Sequence, residues 1–167
     1  MASDLHDYLG RDHDRLDALL GRASRPDGSI DEESYAEFRR GLLRHIGIEE
    51  KILFLELKKR RGESEIQKQL HRDHAALAAL LVPPPTRDGI ETIRSILEQH
   101  NPLEEVEGGL YEVFEEATGD ELAALMEKVR AYPEVPVAPY SDTPHLRRST
   151  EHLLREAEEG RRKLKDA

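Results

Sequence analysis

Two short stretches of this chain carry residues that could hold a metal ion. His45 and Glu49, in L-R-H-I-G-I-E-E-K-I-L-F at 43–54, stand four apart. On a helix that spacing stacks them on one face, with Cβ atoms about 5–6 Å apart. Tyr35, Phe38, Leu42, His45, Glu49 and Ile52 follow one another at steps of three and four, which faces a helix toward its neighbours in a bundle. The imidazole and the carboxylate are therefore predicted to lie in the core. Buried there, each is costly unless satisfied, and a cation satisfies both at once. His100 and Glu104, in H-N-P-L-E-E at 100–105, repeat the spacing and share the histidine and both glutamates with H-I-G-I-E-E at 45–50.

The repetition extends to the preceding helices. R-D-H-D-R-L-D-A-L-L at 11–20 and R-D-H-A-A-L-A-A-L-L at 72–81 agree at seven of ten positions and match His13 with His74. Two related helix hairpins in a four-helix bundle imply pseudo-twofold symmetry. Such symmetry gathers His13, His45, Glu49, His74, His100 and Glu104 round one axis. Imidazole suits borderline metals such as iron or zinc and a carboxylate can bridge two cations, so four histidines and two glutamates suffice for two metals. His71, whose counterpart in the first repeat is Gly10, lies one turn before His74. It is read as an additional ligand to one metal, which leaves the other open to a small molecule or water. Glu50 and Glu105 are read as outer carboxylates or as solvated, His6 as a rim group or exposed, and Tyr8, Tyr111 and Phe54 as packing rather than redox residues, with a tyrosine near the metal able to donate a hydrogen bond to a bound ligand. A single helical His-x-x-x-Glu is ordinary surface decoration; the duplicated set on inward stripes argues for a site.

Breaker clusters at 24–30, 62–63, 83–89 and 132–142 divide the amphipathic segments that must position these residues. The first helix is expected from Ser3 or Asp4 to about Ala23, and the second from an Asp31 cap to about Arg61. A third runs from about Ser64 to the prolines at 83–85, and a fourth from about Ile90 toward Gly108-Gly109, kinked at Pro102. The segment L-Y-E-V-F-E-E-A reads as a continuation of the fourth helix, with Asp120 capping a shorter one. The predicted class is all-α: an antiparallel up-down four-helix bundle with extra C-terminal helices. Its organisation is a metal-binding domain at 1–131, a Pro-rich linker at 132–142 and a C-terminal helix at 143–167. That last helix has a thin apolar stripe of Leu146, Leu153, Ala157 and Leu164, suited to the bundle's flank or to a second subunit in a homodimer.

Charged residues make up 36% of the 167-residue chain and aromatics 5%, the balance of helices with heavily solvated outer faces. A net charge of −10 argues against nucleic acid and anionic membranes as partners. With no cysteine, any metal must use N and O ligands. The N-terminal stretch has no basic patch followed by an apolar run, and a soluble cytoplasmic protein is expected.

The set His13, His45-x-x-x-Glu49, His74 and His100-x-x-x-Glu104 resembles the hemerythrin-like, or HHE cation-binding, family over roughly residues 5 to 115. That resemblance implies a non-haem centre of two iron ions, oxo- or hydroxo-bridged, with zinc or nickel able to occupy it during preparation. Oxygen-carrying hemerythrins place a further histidine where this chain has Leu70, and their last carboxylate falls at Glu105. Glu104 is preferred here because it repeats the spacing of His45 and Glu49. The implied function is binding or sensing dioxygen or a related small oxidant, or holding iron. The alternative is a di-iron enzyme that handles peroxide or nitric oxide, or repairs iron centres. Binding is favoured over catalysis, since the chain has no nucleotide motif, no glycine loop and no N-terminal cysteine module. A ferritin-like oxidase is disfavoured because its ligands come as Glu-x-x-His.

Overall fold

The computed structural model describes residues 4–167; Ser3, an expected cap of the first helix, lies outside the described residues. Among the described residues eight α-helices follow in order: α1 Asp4–Ala23, α2 Glu32–Ile48, α3 Phe54–Arg61, α4 Glu65–Leu80, α5 Arg87–Glu105, α6 Leu110–Thr118, α7 Leu122–Arg130 and α8 Pro144–Asp166. No strand occurs among the described residues, only an isolated bridge between Ser24 and Ile30. The second expected helix is present as α2 and α3 joined through a π-helical turn, Glu49–Leu53. With α1, α4 and α5 it forms the antiparallel four-helix bundle.

Local chemistry sets the ends. Asp31, Ser64, Thr86 and Thr143 each accept a hydrogen bond from the backbone N–H three residues on, which starts α2, α4, α5 and α8. The fourth helix differs from expectation. It runs through Pro102 to Glu105 and stops, and the chain turns at Gly108, where φ is +76°, before beginning α6 as a separate helix. Gly109 is required at that turn, since a Cβ would lie 2.8 Å from the carbonyl oxygens of Glu104 and Val106. Asp120 does not cap α7 either; it falls within a 3₁₀ turn, Gly119–Glu121, that leads into the helix.

Two apolar clusters fill the bundle, one on each side of the polar set. The first holds Leu16, Leu20, Phe38, Leu42, Leu77 and Ile93. The second joins Leu5, Leu9, Leu53 and Leu70 to Tyr111 and Phe114 of α6 and Met126 and Val129 of α7. Beyond α7 the chain is pinned at both ends of its Pro-rich stretch. Arg44 Nε donates to the Tyr132 carbonyl at 2.9 Å, and the Ser141 N–H donates to the Val82 carbonyl at 3.0 Å. The Arg39 guanidinium lies 4.3 Å from the centroid of the Tyr140 ring. Helix α8 then lies along α4, the flank of the bundle. Among the described residues no helix is long and apolar enough to cross a membrane.

Phe38 is fully buried in the first cluster, away from the polar set. Phe38→Ala is expected to lower stability by about 3–5 kcal/mol in urea unfolding, with metal stoichiometry unchanged in the folded fraction.

Candidate metal centre

His13, His45, His74 and His100 project inward from α1, α2, α4 and α5, each with 7% or less of its surface exposed, and Glu49 and Glu104 are fully buried among them. Two overlapping groups have ligand atoms within 4.8 Å of one another: His13, His45, Glu49 and Glu104, and Glu49, His74, His100 and Glu104. Both glutamates belong to both groups. The Glu49 oxygens lie 3.2 Å from His45 Nε2 and 3.0 Å from His74 Nε2. Those of Glu104 lie 3.1 Å from His13 Nε2 and 2.8 Å from His100 Nε2. Each carboxylate thus faces one histidine of either pair.

The opposite ring nitrogens are held by a second ring of acids. His45 Nδ1–H donates to Asp12 at 2.8 Å and His100 Nδ1–H to Asp73 at 3.1 Å. His74 Nδ1–H donates to Glu50 at 2.8 Å, and His13 Nδ1–H to Glu105. Fixing the proton on Nδ1 leaves every Nε2 lone pair aimed at the centre, the tautomer a metal-binding imidazole needs. The duplication accounts for the pattern. The Asp of each R-D-H holds the histidine of its own hairpin, and the second glutamate of each E-E holds the histidine of the other hairpin. Glu49 and Glu50, which clasp His74, lie in the π turn that follows Ile48, and Glu104 and Glu105, which clasp His13, are the last two residues of α5, after Pro102.

Four buried atoms of the cluster have no hydrogen-bond partner: His45 Nε2, His74 Nε2, Glu49 Oε2 and Glu104 Oε1. Their neighbours are near, but without hydrogen-bond geometry. An orphaned set of this kind fits a cation at its middle. Charge agrees. Asp12 pairs with Arg15 at 2.9 Å and Asp73 with Arg161 at 2.7 Å. Six carboxylates against those two guanidiniums leave four negative charges when the imidazoles are neutral, the charge of two divalent cations.

Without a cation, protons take that role. Burial disfavours the imidazolium at His45 and His100, yet Glu49 and Asp12 at the first and Glu104 and Asp73 at the second outweigh it and raise both from 6.5 to about 10. Burial likewise opposes ionisation of Glu49, but the facing His45 and His74 hold its carboxyl well below the usual range.

One sequence reading is corrected here and another extended. His71 is not brought into either group. Its side chain is 63% exposed and its Nδ1 lies 2.9 Å from Glu50. The inward position one turn before His74 belongs to the fully buried Leu70, which turns His71 to the rim. Tyr111 does more than pack. Its hydroxyl donates to Glu49 Oε1 at 2.8 Å and to Glu104 Oε2 at 3.1 Å, the two oxygens that face His45 and His13. Burial, then the Glu104 and Glu49 charges, keep that phenol neutral by pushing its pKa well above the usual value. Its ring stacks on His13 at 6.1 Å, as Phe54 stacks on His74 at 5.5 Å. Periodicity could not separate these two aromatics, since both fall on inward positions. Glu104 points into the centre and Glu105 lies beside His13 with 35% of its side chain exposed. His6 donates to the Glu105 carbonyl at 3.0 Å. A cavity of about 270 Å³ reaches the cluster between α1 and α5. Leu16, Leu20, Leu42, Ile46, Leu77 and Leu97 wall it, and Asp17 and Arg94 stand 3.6 Å apart at its mouth.

Bundle and cluster together define an all-helical protein with a buried histidine and carboxylate site that could bind metal. The family model described as the hemerythrin HHE cation binding domain matches residues 4–132, and the chain belongs to that family. Neither a search of curated proteins nor a search of solved structures gave a match.

A histidine whose folded pKa exceeds its unfolded value stabilises the fold fully below 6.5 and loses that contribution as the pH rises through about 10. Metal-stripped protein is therefore expected to melt progressively lower between pH 6.5 and 10. A bound divalent cation, which replaces those protons, should flatten the trend. Calorimetry with and without metal checks this; parallel curves would count against the cluster as a cation site.

Proposed function

We propose that this is a hemerythrin-like di-iron protein that binds or senses dioxygen or a related small oxidant, or holds iron. The carrying observation is that Glu49 and Glu104 each belong to both ligand groups, so the cluster offers two adjacent cation positions with two imidazoles apiece and shared carboxylates. Such an N and O donor set without thiolate suits iron, and also accepts zinc or nickel. When bound, iron would supply redox chemistry and open coordination positions for a small ligand.

This chain's own residues do the rest. Four carboxylates fix the imidazole tautomers, and the cavity, walled by leucines and by charged groups, is large enough to bring a small molecule to the cluster. Around its mouth Arg94 is paired with Asp17, and Asp14 and Glu98 leave the balance acidic, which favours cations over anions along the same route. Tyr111 holds a proton on Oη between the two shared carboxylates, on the side of His13 and His45. That proton is the observation favouring a second reading, an enzyme acting on peroxide or nitric oxide, because a ligand arriving there would find a donor within reach.

Metal analysis with an optical spectrum of anaerobically purified protein, before and after air, tests the proposal. Two irons per chain and an air-dependent spectrum that reverses on deoxygenation are expected for binding or sensing; sustained peroxide consumption would move the assignment to the enzyme. Glu49→Ala should weaken both metals, whereas His45→Ala should weaken one. Protein that retains less than one equivalent after reconstitution with iron would sink the di-iron reading.

A further inference from the structure

The two halves of the centre differ in how their outer aspartates are held. Asp12 is paired with Arg15 of its own helix, three residues on and half exposed. The duplication places Ala76 where a matching arginine would stand in the second hairpin, and Ala76 is fully buried. A guanidinium nevertheless reaches Asp73, and it comes from α8. Arg161 Nη1 donates to Asp73 Oδ1 at 2.7 Å, while the other oxygen, Oδ2, accepts from His100 Nδ1 at 3.1 Å. Helix α8 lies outside the 4–132 segment matched by the family model.

Docking of α8 is specific at this point. Gln69 Nε2 donates both to Asp73 Oδ1 and to the Ala157 carbonyl, each at 2.9 Å, so one amide ties α8 to the same carboxylate. Gly160, one residue before Arg161, lets the helices meet closely. A Cβ there would overlap Gln69 Oε1 and lie 2.9 Å from Arg72 Nη1. Asp73 has no exposure, and a charge so buried is tolerated only with its partners in place. On the other side of the centre Asp12 retains 14% exposure and needs no appended helix.

We propose that α8 is a working part of the metal centre: Arg161 is a positioning residue that fixes Asp73 and, through it, His100, which couples docking of α8 to cation retention at the position served by His74 and His100. This rests on the reading of the cluster as a metal site. Coupling of this kind is reciprocal, so metal also tightens α8 onto the bundle. Removal of the arginine leaves Asp73 with an unbalanced buried charge and loosens the carboxylate's grip on the imidazole. Loss of such an outer contact typically weakens metal binding by about 10–100-fold.

Cobalt(II) titration of full-length protein, followed by its visible absorption, tests the proposal in wild type, Arg161→Gln, Arg161→Lys and Gly160→Leu. Arg161→Gln is expected to weaken one of two equivalents by at least about tenfold and leave the other unchanged. In a His45→Ala background the remaining equivalent should weaken on adding Arg161→Gln; in a His100→Ala background it should not. Lysine keeps the charge without the fork and should lose less. Gly160→Leu should reproduce the loss with Arg161 intact, because it lifts the helix. Amide exchange at 157–164 should slow when cobalt is added to wild type. Arg161→Gln binding two equivalents as wild type does, or losing both equally, would overturn the coupling, even with a lowered melting temperature. If Arg161→Gln does not fold, the same comparison is read from Arg161→Lys and Gly160→Leu. Wild type that binds no cobalt, and no iron on reconstitution, would instead overturn the metal-site reading beneath it.

Discussion

Two glutamates with no solvent exposure, facing each other in the middle of a helical bundle, are the constraint on which the rest of the structure depends. Taking an ionised carboxylate out of water costs several kcal/mol even after relaxation, and two of them also repel. Everything nearby answers that cost. Four imidazoles converge on Glu49 and Glu104, four outer acids hold those imidazoles, and two arginines balance the outer aspartates. The remaining negative charge and the orphaned ring nitrogens fit cations, and apolar clusters on either side insulate the layer.

The duplication builds that layer economically, since one hairpin pattern used twice supplies both halves of a shared site. The departures from symmetry are where the two cation positions become chemically different. Tyr111 stacks on His13 and brings a hydroxyl to the carboxylates, while Phe54, stacked on His74, brings none. The helix interruptions differ as well: a π turn follows Ile48, whereas a proline, a chain turn and a separate α6 follow His100. That second interruption is what swings Tyr111 back over the centre. Arg15 serves one aspartate from the next turn of its own helix, and Arg161 serves the other from the far end of the chain. The hemerythrin HHE family model spans the whole of the layer and Tyr111, within residues 4–132, whereas Arg161 lies outside it.

The helical class, most helix ends and the six inward histidines and glutamates were legible in the sequence. Those follow from local rules: 3,4 periodicity, cap residues at Asp31, Ser64 and Thr143, and a repeat that put matching residues in matching places. Asp12 and Asp73 were also written into the repeat, as the shared R-D-H, but nothing local says that an aspartate will reach an imidazole on another helix. Tertiary structure decided that, together with the outward turn of His71, the hydroxyl of Tyr111 at the centre and the docking of α8. Spacing along one helix resolves a face to within one residue, and Leu70 against His71 is a choice between neighbours that only core packing makes. Arg161 lies 88 residues from the carboxylate it holds, and contacts that distant depend on how elements assemble, which periodicity within one element does not encode.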